Sequence, residues 1–366
     1  MTAPIIWVTR CPLPTALSFA VHTGLLARHL APLGVAVESV RHSSDPAVRL
    51  SHFTHTLPGM MRHGGHIPPL WSRAAGRDVR LIGLSWTDEA QFVLVRPDAD
   101  IASLADLRGR RIAVPRRYDY PVDFWRATVL KGFADALALA GLTLEDVSPM
   151  EIEIAQIPFG ERGPGATTST PPGTALMTLA SQRDEALALL RGEVDAIFSP
   201  GHYGVALRAA YGLRTLADLA EQPDRFARLN NPTLLAFTVE GAFLDRCPDA
   251  MQAALAASLE GADMARASPD LAGRIVGAES GNAEELVPSI FGQSFSADLA
   301  PRIDDPVIEA LDRQTHWLHR AGFIPRAVPI GEWLDPSPLK RAVAERDALA
   351  VQAASKTPGL TASFLV

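Results

Sequence analysis

The sequence predicts an α/β protein of two lobes with a ligand cleft between them. The chain of 366 residues is too long for one small domain. Its first half alternates β-rich runs with runs of helical apolar spacing, an order that produces a parallel sheet with right-handed crossovers. A stretch near residue 96 and a β-rich run at 234–239 indicate two crossings between the lobes. We therefore place lobe I at residues 1–95 and 238–366, and lobe II at residues 96–237.

Lobe I begins with strand and helix signals in alternation. Residues 5–9 are β-branched and aromatic and predict a strand, and residues 15–33 have apolar spacing of helical type that ends at a glycine. Residues 35–40 alternate and predict a second strand. A short helix at 66–75, with two prolines early, and a strand at 79–84 complete the series.

Lobe II shows the same alternation after the first crossing. The expected elements are a strand at 92–96, a short helix and a strand at 111–114, a helix at 124–140, a strand at 151–157, a helix at 179–190, a strand in GEVDAIFS, and the returning strand at 234–239. Residues 161–173 are rich in Gly, Pro, Ser and Thr and predict a mobile loop or lid. A lobe interrupted by a second lobe describes a type II periplasmic-binding-protein-like fold, in which ligands bind between the lobes.

The composition excludes several classes of function. A hydrophobic fraction of 47% supports a full core, and a net charge of −7 without a basic stripe argues against a nucleic-acid partner. We find no export leader and no run long enough to span a bilayer, so we expect no membrane partner. Two cysteines, Cys11 and Cys247, cannot form a disulfide framework and indicate a reducing, cytoplasmic setting. A monomer is the default for this architecture.

Cys11 lies in RCPLP, directly after the first predicted strand. We predict that it sits at or just before a helix N-terminus, where unpaired amides and the helix dipole favour the thiolate of a cysteine. The alternative is a small, half-buried core residue. Cys247, in LDRCPDAM at another helix start, is expected to be an inert or surface thiol.

A histidine-rich stretch, residues 51–71, offers a second candidate site. It contains the polar residues His52, His55, Arg62, His63 and His66. A metal site is one interpretation, but the segment 63–66 looks like a turn and no acidic residue stands among the histidines to orient a ligand. Solvated loop histidines are a second. The third is an anion site, with the forked guanidinium of Arg62 and close backbone approach at Gly64 and Gly65.

The segments RCPLPTAL, HFT at 52–54 and RHGGHIPPL at 62–70 together resemble the aromatic sulfinate desulfinase family, within the superfamily of sulfonate-, nitrate- and taurine-binding proteins. Further similarity lies in GEVDAIFS, GQSFSADLAPRID and PIGEWLDPSPL, so the resemblance runs patchily along nearly the whole chain. It implies hydrolysis of the C–S bond of an aromatic sulfinate to the arene and sulfite, with no cofactor and no metal. It also implies that Cys11, His52 and Arg62 are the essential residues.

The resemblance suggests a role for each residue type. Arg62, with N–H groups of Gly64 or Gly65, would hold the sulfinate oxygens, and His52 would set the protonation of Cys11. Cys11 would either attack sulfur or protonate the ring carbon, and both routes stay open. Further candidate substrate-binding residues are Phe53, Tyr118, Phe124, Trp125, Arg126, His202 and Tyr203. Ordinary core packing remains an alternative for Phe124 and Trp125.

Two other functions share this architecture. A sulfonate-, nitrate- or taurine-type solute-binding protein would bind a small anion without chemistry. It would need Arg62 but would have no use for a thiol at Cys11. The pyrimidine-precursor synthases of thiamine biosynthesis carry a cysteine-rich iron motif, and two isolated cysteines argue against that reading.

Overall fold

The computed structural model describes residues 4–118, 120–154 and 182–356, and the side chains of residue 350 and residues 352–356 are not considered. It contains the α/β alternation predicted from the sequence. The predicted lid at 161–173 lies outside the described residues.

The first sheet forms the centre of lobe I and has five strands in the order β2-β1-β3-β10-β4. The strands are β1 Ile5–Arg10, β2 Ala36–Ser39, β3 Met60–Gly65, β4 Val79–Trp86 and β10 Leu234–Glu240. β1 pairs in parallel with β2 and β3, whereas β10 is antiparallel to both of its neighbours. The register sets Thr9 beside Arg62, so polar residues of two adjacent strands meet at the carboxyl end of the sheet.

The second sheet repeats this order in lobe II. Its strands are β5 Gln91–Val95, β6 Arg111–Arg116, β7 Ser148–Glu153, β8 Ile197–Pro200 and β9 Arg214–Asp218. β5 lies antiparallel between β8 and β9, and β6 pairs in parallel with β7. A bridge from Ile112 to Ala196 joins the two groups of strands, giving the order β7-β6-β8-β5-β9. Each lobe thus has one antiparallel strand in the fourth position.

The strand pairing places the crossings differently from the predicted boundaries. Among the described strands β5 pairs with β8 and β9 of the second sheet, although the boundary at residue 95 would leave it in lobe I. β10 begins at Leu234 in the first sheet, four residues before the predicted return at 238. Residues 87–90 connect β4 to β5, so the chain changes sheet in this short link, before β5 and not after it.

Helices cover both faces of the two sheets. They are α1 Ala16–His22, α2 Leu25–Leu30, α3 Pro46–Thr54, α4 Ile67–Ala74, α5 Phe124–Leu139, α6 Arg183–Leu190, α7 Gly201–Tyr211, α8 Gly241–Arg246, α9 Pro248–Ala267, α10 Pro269–Ser280, α11 Val287–Phe291, α12 Asp305–Arg320, α13 Ile330–Trp333 and α14 Ser337–Lys356. Short 3₁₀ turns occur at Ala31–Leu33, Val40–His42, Leu104–Leu107, Leu144–Asp146, Leu219–Glu221, Arg225–Arg228 and Glu284–Leu286. Within the part of the chain that the structure describes, no helix is both long and apolar enough to cross a membrane.

The predicted helix at 15–33 is in fact two helices and a 3₁₀ turn. α1 starts after Thr15, whose hydroxyl accepts a hydrogen bond from the Ser18 N–H at 3.0 Å. It ends at His22, with Thr23 as its C-cap, because Gly24 adopts a left-handed φ of 75° that interrupts the helical path. The broken helix packs on the long helix α9 and closes the apolar core behind β1.

Candidate active site

Cys11 stands at the carboxyl end of β1, half-buried between the strand and the loop that follows. Its N–H donates to the carbonyl of His63 at 3.2 Å, which extends the pairing of β1 with β3 by one residue. The predicted position at a helix N-terminus is wrong, since α1 begins at Ala16 and is capped by Thr15. Prolines disfavour helical backbone at the residue before them, and Pro12 and Pro14 therefore delay the helix. Any stabilisation of the thiolate must come from neighbouring side chains.

Arg62, on the adjacent strand β3, is a side chain that can stabilise the Cys11 thiolate. Its Nη2 donates to the Cys11 sulfur at 3.2 Å, and its Nη1 donates to the carbonyl of Gly65 at 2.7 Å. The side chain is 1% exposed, and its Nε has no acceptor among the described residues. Burial lowers the pKa of Arg62 and a negative charge on Cys11 raises it, but a guanidinium keeps its proton under all ordinary conditions. The result is a buried cation beside the sulfur with further N–H groups available to an anion.

His52 comes from the last turn of α3 and faces the same sulfur. Its Nε2 lies 4.0 Å from the Cys11 sulfur, and its Nδ1 forms a 2.7 Å hydrogen bond with the Thr9 hydroxyl. Burial lowers the pKa of His52 well below its ordinary value, and the charges of Arg62 and Arg41 lower it further. The resting imidazole is therefore neutral, so one ring nitrogen donates and the other accepts.

Close approach explains the two glycines after His63. A Cβ at Gly64 would lie 2.4 Å from the Cys11 sulfur, and one at Gly65 would lie 2.6 Å from Oδ1 of Asn231. That Asn231 oxygen accepts from the N–H of Ile67 at 3.0 Å, where α4 begins. Residues 63–66 were expected to form a turn. Instead β3 runs through Gly65 in the middle of the sheet, which makes the glycines a requirement of packing rather than of chain reversal.

The remaining histidines of the stretch are buried, and the solvated-loop interpretation is wrong for them. His63 stacks on Phe237 at 4.6 Å, and His66 donates from Nδ1 to the carbonyl of Leu234 at 2.9 Å. Burial lowers the pKa of His55 and His63 to about 3 and that of His66 to about 4. Among the residues that can be described, no group of three or more His, Cys, Asp or Glu side chains is arranged to hold a metal.

An aromatic wall adjoins the imidazole of His52. It consists of Phe53 from α3, Tyr120 from the segment before α5, and Phe124 at the first position of α5, so both lobes contribute. The Phe53 ring is 4.9 Å from Tyr120, edge to face, and 5.4 Å from Phe124, stacked. The Arg117 guanidinium lies 5.6 Å from the centroids of both lobe II rings of this wall. These contacts give the site an apolar side with one cation at its edge.

Three of the predicted substrate-binding residues point elsewhere within lobe II. Tyr118 is 60% exposed and its hydroxyl donates to Glu151 at 3.0 Å. Arg126 also donates to Glu151 at 3.0 Å. Trp125 is buried in the lobe II core, where its Nε1 donates to Glu185 at 2.8 Å. Tyr120, which precedes the helix, packs against Phe53 and Phe124 in the aromatic wall, whereas Tyr118 does not.

His202 and Tyr203 occupy the first turn of α7, directly after β8. His202 forms a short hydrogen bond through Nδ1 with the fully buried Glu89, which lies in the link between the lobes. Tyr203 packs edge to face on Trp125 at 5.2 Å. His202 is therefore held at the crossing, while Tyr203 extends the aromatic surface of lobe II. Cys247, the other thiol, lies half-buried against the lobe I core just before α9.

Sequence reasoning missed three polar residues of the site, two near the sulfur and one at the edge of the aromatic wall. Thr9 precedes Cys11 by two positions, so strand periodicity alone would have placed both on one face of β1. Arg41 follows β2, whose carboxyl end lies beside that of β1 because the two strands are parallel. Arg117 follows β6. Each comes after or near the end of a strand, which was the available signal.

Comparison with known proteins adds to this geometry. No family model matches the chain. It is 28% identical over 351 residues to the 2'-hydroxybiphenyl-2-sulfinate desulfinases of Rhodococcus erythropolis and Rhodococcus qingshengii, with 90% of each chain covered. The resemblance to aromatic sulfinate desulfinases is confirmed.

Solved structures agree with this resemblance. The desulfurization enzyme DSZB superposes with a TM-score of 0.74 at 25% identity, over 94% of this chain and 99% of that one. A cysteine-to-serine variant of DSZB in complex with biphenyl-2-sulfinic acid gives a TM-score of 0.73 at 24% identity, over 94% and 100%. The periplasmic aliphatic sulphonate-binding protein SsuA of Escherichia coli gives 0.63 at 16%, over 91% and 92%. The two-lobed periplasmic-binding-protein-like fold predicted from the sequence is thereby confirmed.

Proposed function

We propose that this protein is a desulfinase that hydrolyses the C–S bond of an aromatic sulfinate to the arene and sulfite. One observation carries the proposal: the Cys11 sulfur lies 3.2 Å from a buried guanidinium and 4.0 Å from a neutral imidazole. A protein that only binds an anion needs the guanidinium and not the thiol. The desulfinases to which the chain is similar, and a DSZB variant that holds biphenyl-2-sulfinic acid, support the same chemistry.

Arg62 is the anion-binding group in this proposal. A sulfinate presents two oxygens, and a guanidinium offers a planar fork that matches such a pair. Because Arg62 is already fixed by its bonds to Gly65 and Cys11, little side-chain entropy is lost when the anion binds. The sulfinate sulfur then lies next to the thiol, and the arene extends toward the aromatic wall.

The bonds change in two balanced steps. His52 takes the thiol proton and passes it to the ring carbon that carries the sulfinate. The C–S bond breaks as the Cys11 sulfur bonds to the sulfinate sulfur, which releases the arene. Water then cleaves the new S–S bond, giving bisulfite and restoring the thiol. The acceptance of an N–H from Arg62 by the Cys11 sulfur favours this nucleophilic route over direct protonation of the ring by the thiol.

The decisive experiment is sulfite release from a panel of aryl and alkyl sulfinates, with the matching sulfonates as controls. We expect Cys11→Ser to abolish release while a sulfonate still binds, and Arg62→Lys to weaken binding because a point charge cannot replace a fork. Mass spectrometry of the acid-quenched enzyme should show a sulfur-dioxide adduct on Cys11. Turnover without that adduct would favour the acid role of the thiol. Failure to release sulfite from any sulfinate would reduce the protein to a binding protein.

We further propose that the protein works as a cytoplasmic monomer on a small anionic ligand, with no cofactor, metal, nucleic-acid or membrane partner. Two free, half-buried cysteines in separate parts of the fold suit a reducing compartment. Gel filtration with light scattering tests the monomer, and activity after exhaustive treatment with a chelator tests the independence from metal.

A further inference from the structure

Arg41 brings a second guanidinium to the back of Cys11. It lies in the 3₁₀ turn after β2, and its Nη1 is 3.4 Å from the carbonyl oxygen of Arg10, the residue bonded to Cys11. The side chain is only 12% exposed. Burial lowers the pKa of Arg41, whereas negative charges at Glu279, Cys11 and Tyr203 raise it. Arg41 is thus within electrostatic reach of the reactive sulfur but takes no part in the bond-breaking steps.

A buried carboxylate holds Arg41 in place without cancelling its charge. Glu279, on α10, accepts from Nε of Arg10 at 2.8 Å and pairs with Arg41 at 3.6 Å and with His22 at 2.5 Å. Burial opposes ionisation of Glu279, but the His22 hydrogen bond and the charges of Arg10 and Arg41 outweigh it and lower the pKa to about 2. The carboxylate is therefore ionised at neutral pH. Two guanidinium groups share this one carboxylate, so the cluster keeps an excess positive charge next to Cys11.

The excess positive charge of this cluster matches the negative charges that the site holds during the proposed reaction. When Cys11 loses its proton, Arg62 offsets the charge on the sulfur. A bound sulfinate then adds a second negative charge in a region shielded from water, where like charges repel strongly. The imidazolium formed when His52 takes the thiol proton offsets part of this charge, but burial disfavours it, so a further permanent cation stabilises the pair of anions. We propose that Arg41, positioned by Glu279, is the charge-compensating residue that lets a thiolate and an anionic substrate occupy the site together. The inference rests on the proposed function only for the identity of the anion.

The charge at the sulfur can be measured without any turnover. In a Cys247→Ser background Cys11 is the single thiol, and its alkylation rate is compared for iodoacetate, an anion, and iodoacetamide, its neutral analogue. The ratio of the iodoacetate rate to the iodoacetamide rate reports the excess positive charge near the Cys11 sulfur. Arg41→Gln should lower this ratio about five- to ten-fold, as expected for one charge at a partly buried site. Arg41→Lys keeps the charge and should restore most of it.

Glu279→Gln is the matched control, since it changes the same network with the opposite sign. It removes the counter-charge and leaves both guanidinium groups, so the iodoacetate-to-iodoacetamide ratio should rise by a similar factor. A purely structural role would make both variants shift the ratio in the same direction or leave it unchanged, and either result overturns the inference. The alkylation result stands whether or not sulfite is released, so failure of the proposed function and failure of this inference are separate outcomes.

Discussion

Replacing Gly64 by alanine should inactivate the site while leaving the fold intact. The added methyl would meet the Cys11 sulfur at 2.4 Å and the Cys11 Cβ at 2.8 Å. The backbone at this position is extended strand, which alanine adopts without strain, so the effect comes only from the contact with Cys11. Gly64→Ala therefore acts as a steric probe of where the sulfur has to be.

The magnitude follows from the distance. Ordinary van der Waals contact begins at 3.4 Å, so the sulfur has to move by about 1 Å to relieve the overlap. A displacement of that size takes the sulfur away from Arg62 Nη2 and from His52, and a misplacement of about 1 Å can cost roughly 100-fold in rate. We expect kcat/KM for sulfite release to fall by about that factor, equivalent to about 2.7 kcal/mol of transition-state stabilisation. Overpacking should lower the free energy of unfolding by about 1–3 kcal/mol.

The assay pairs steady-state sulfite release with urea denaturation of the same protein. Gly331→Ala is the control, because a Cβ there meets nothing within 4 Å and the residue lies on the short helix α13. That variant should keep full activity and unfold at the same urea concentration or slightly higher. A folded Gly64→Ala protein with unchanged kcat/KM would refute the placement of the Cys11 sulfur against β3.

Two further predictions concern the hydroxyl behind the imidazole and the buried histidines. Thr9→Val removes the hydroxyl that bonds to the His52 imidazole but keeps the shape of the side chain, so the pH profile of kcat should shift and kcat should fall about ten-fold. Thr9→Ser restores the hydroxyl and should restore both. An unaltered pH profile in the valine variant would contradict a positioning role for Thr9. His55, His63 and His66 are neutral when folded, with pKa values of about 3, 3 and 4. They titrate near pH 6.5 when unfolded, so the unfolded state binds more protons as pH falls and stability is lost below about pH 6.5. Between pH 7.5 and 5.5 these three histidines should lower the free energy of unfolding by about 1.4 kcal/mol each, about 4 kcal/mol together, and His52, whose pKa is also lowered by burial, adds to the loss. His55→Asn should reduce the loss by about 1.4 kcal/mol. Urea titrations at the two pH values that give equal stability would contradict the prediction.

Much of the fold could be predicted from the sequence because apolar periodicity decides where strands and helices form. The strands at 79–86 and 234–240 and the helix at 124–139 lie where their patterns predict them. Cys11 and Arg62 were found because a thiol and an arginine beside glycines are unusual in their local setting. Arg41 escaped notice because its importance depends on Glu279, which lies far along the chain and meets it only through tertiary packing.

Two errors had local physical causes. The proline pair after Cys11 resembles the start of a helix, since proline favours the first helical turn, but α1 begins only at Ala16, after both prolines. The paired glycines after His63 resemble a turn, although they are needed because neighbouring side chains lie within 3 Å of the position that a Cβ would occupy. Composition alone cannot separate a glycine that bends the chain from one that makes room.

The division of the site between the lobes has a consequence for how such a protein can diversify. Cys11, His52 and Arg62 all belong to elements around the first sheet, whereas Tyr120 and Phe124 come from the second lobe. Substitutions in lobe II can therefore reshape the arene pocket without displacing the groups that break the bond. Related proteins could change their arene specificity through substitutions in lobe II, while the reactive residues of lobe I stay the same.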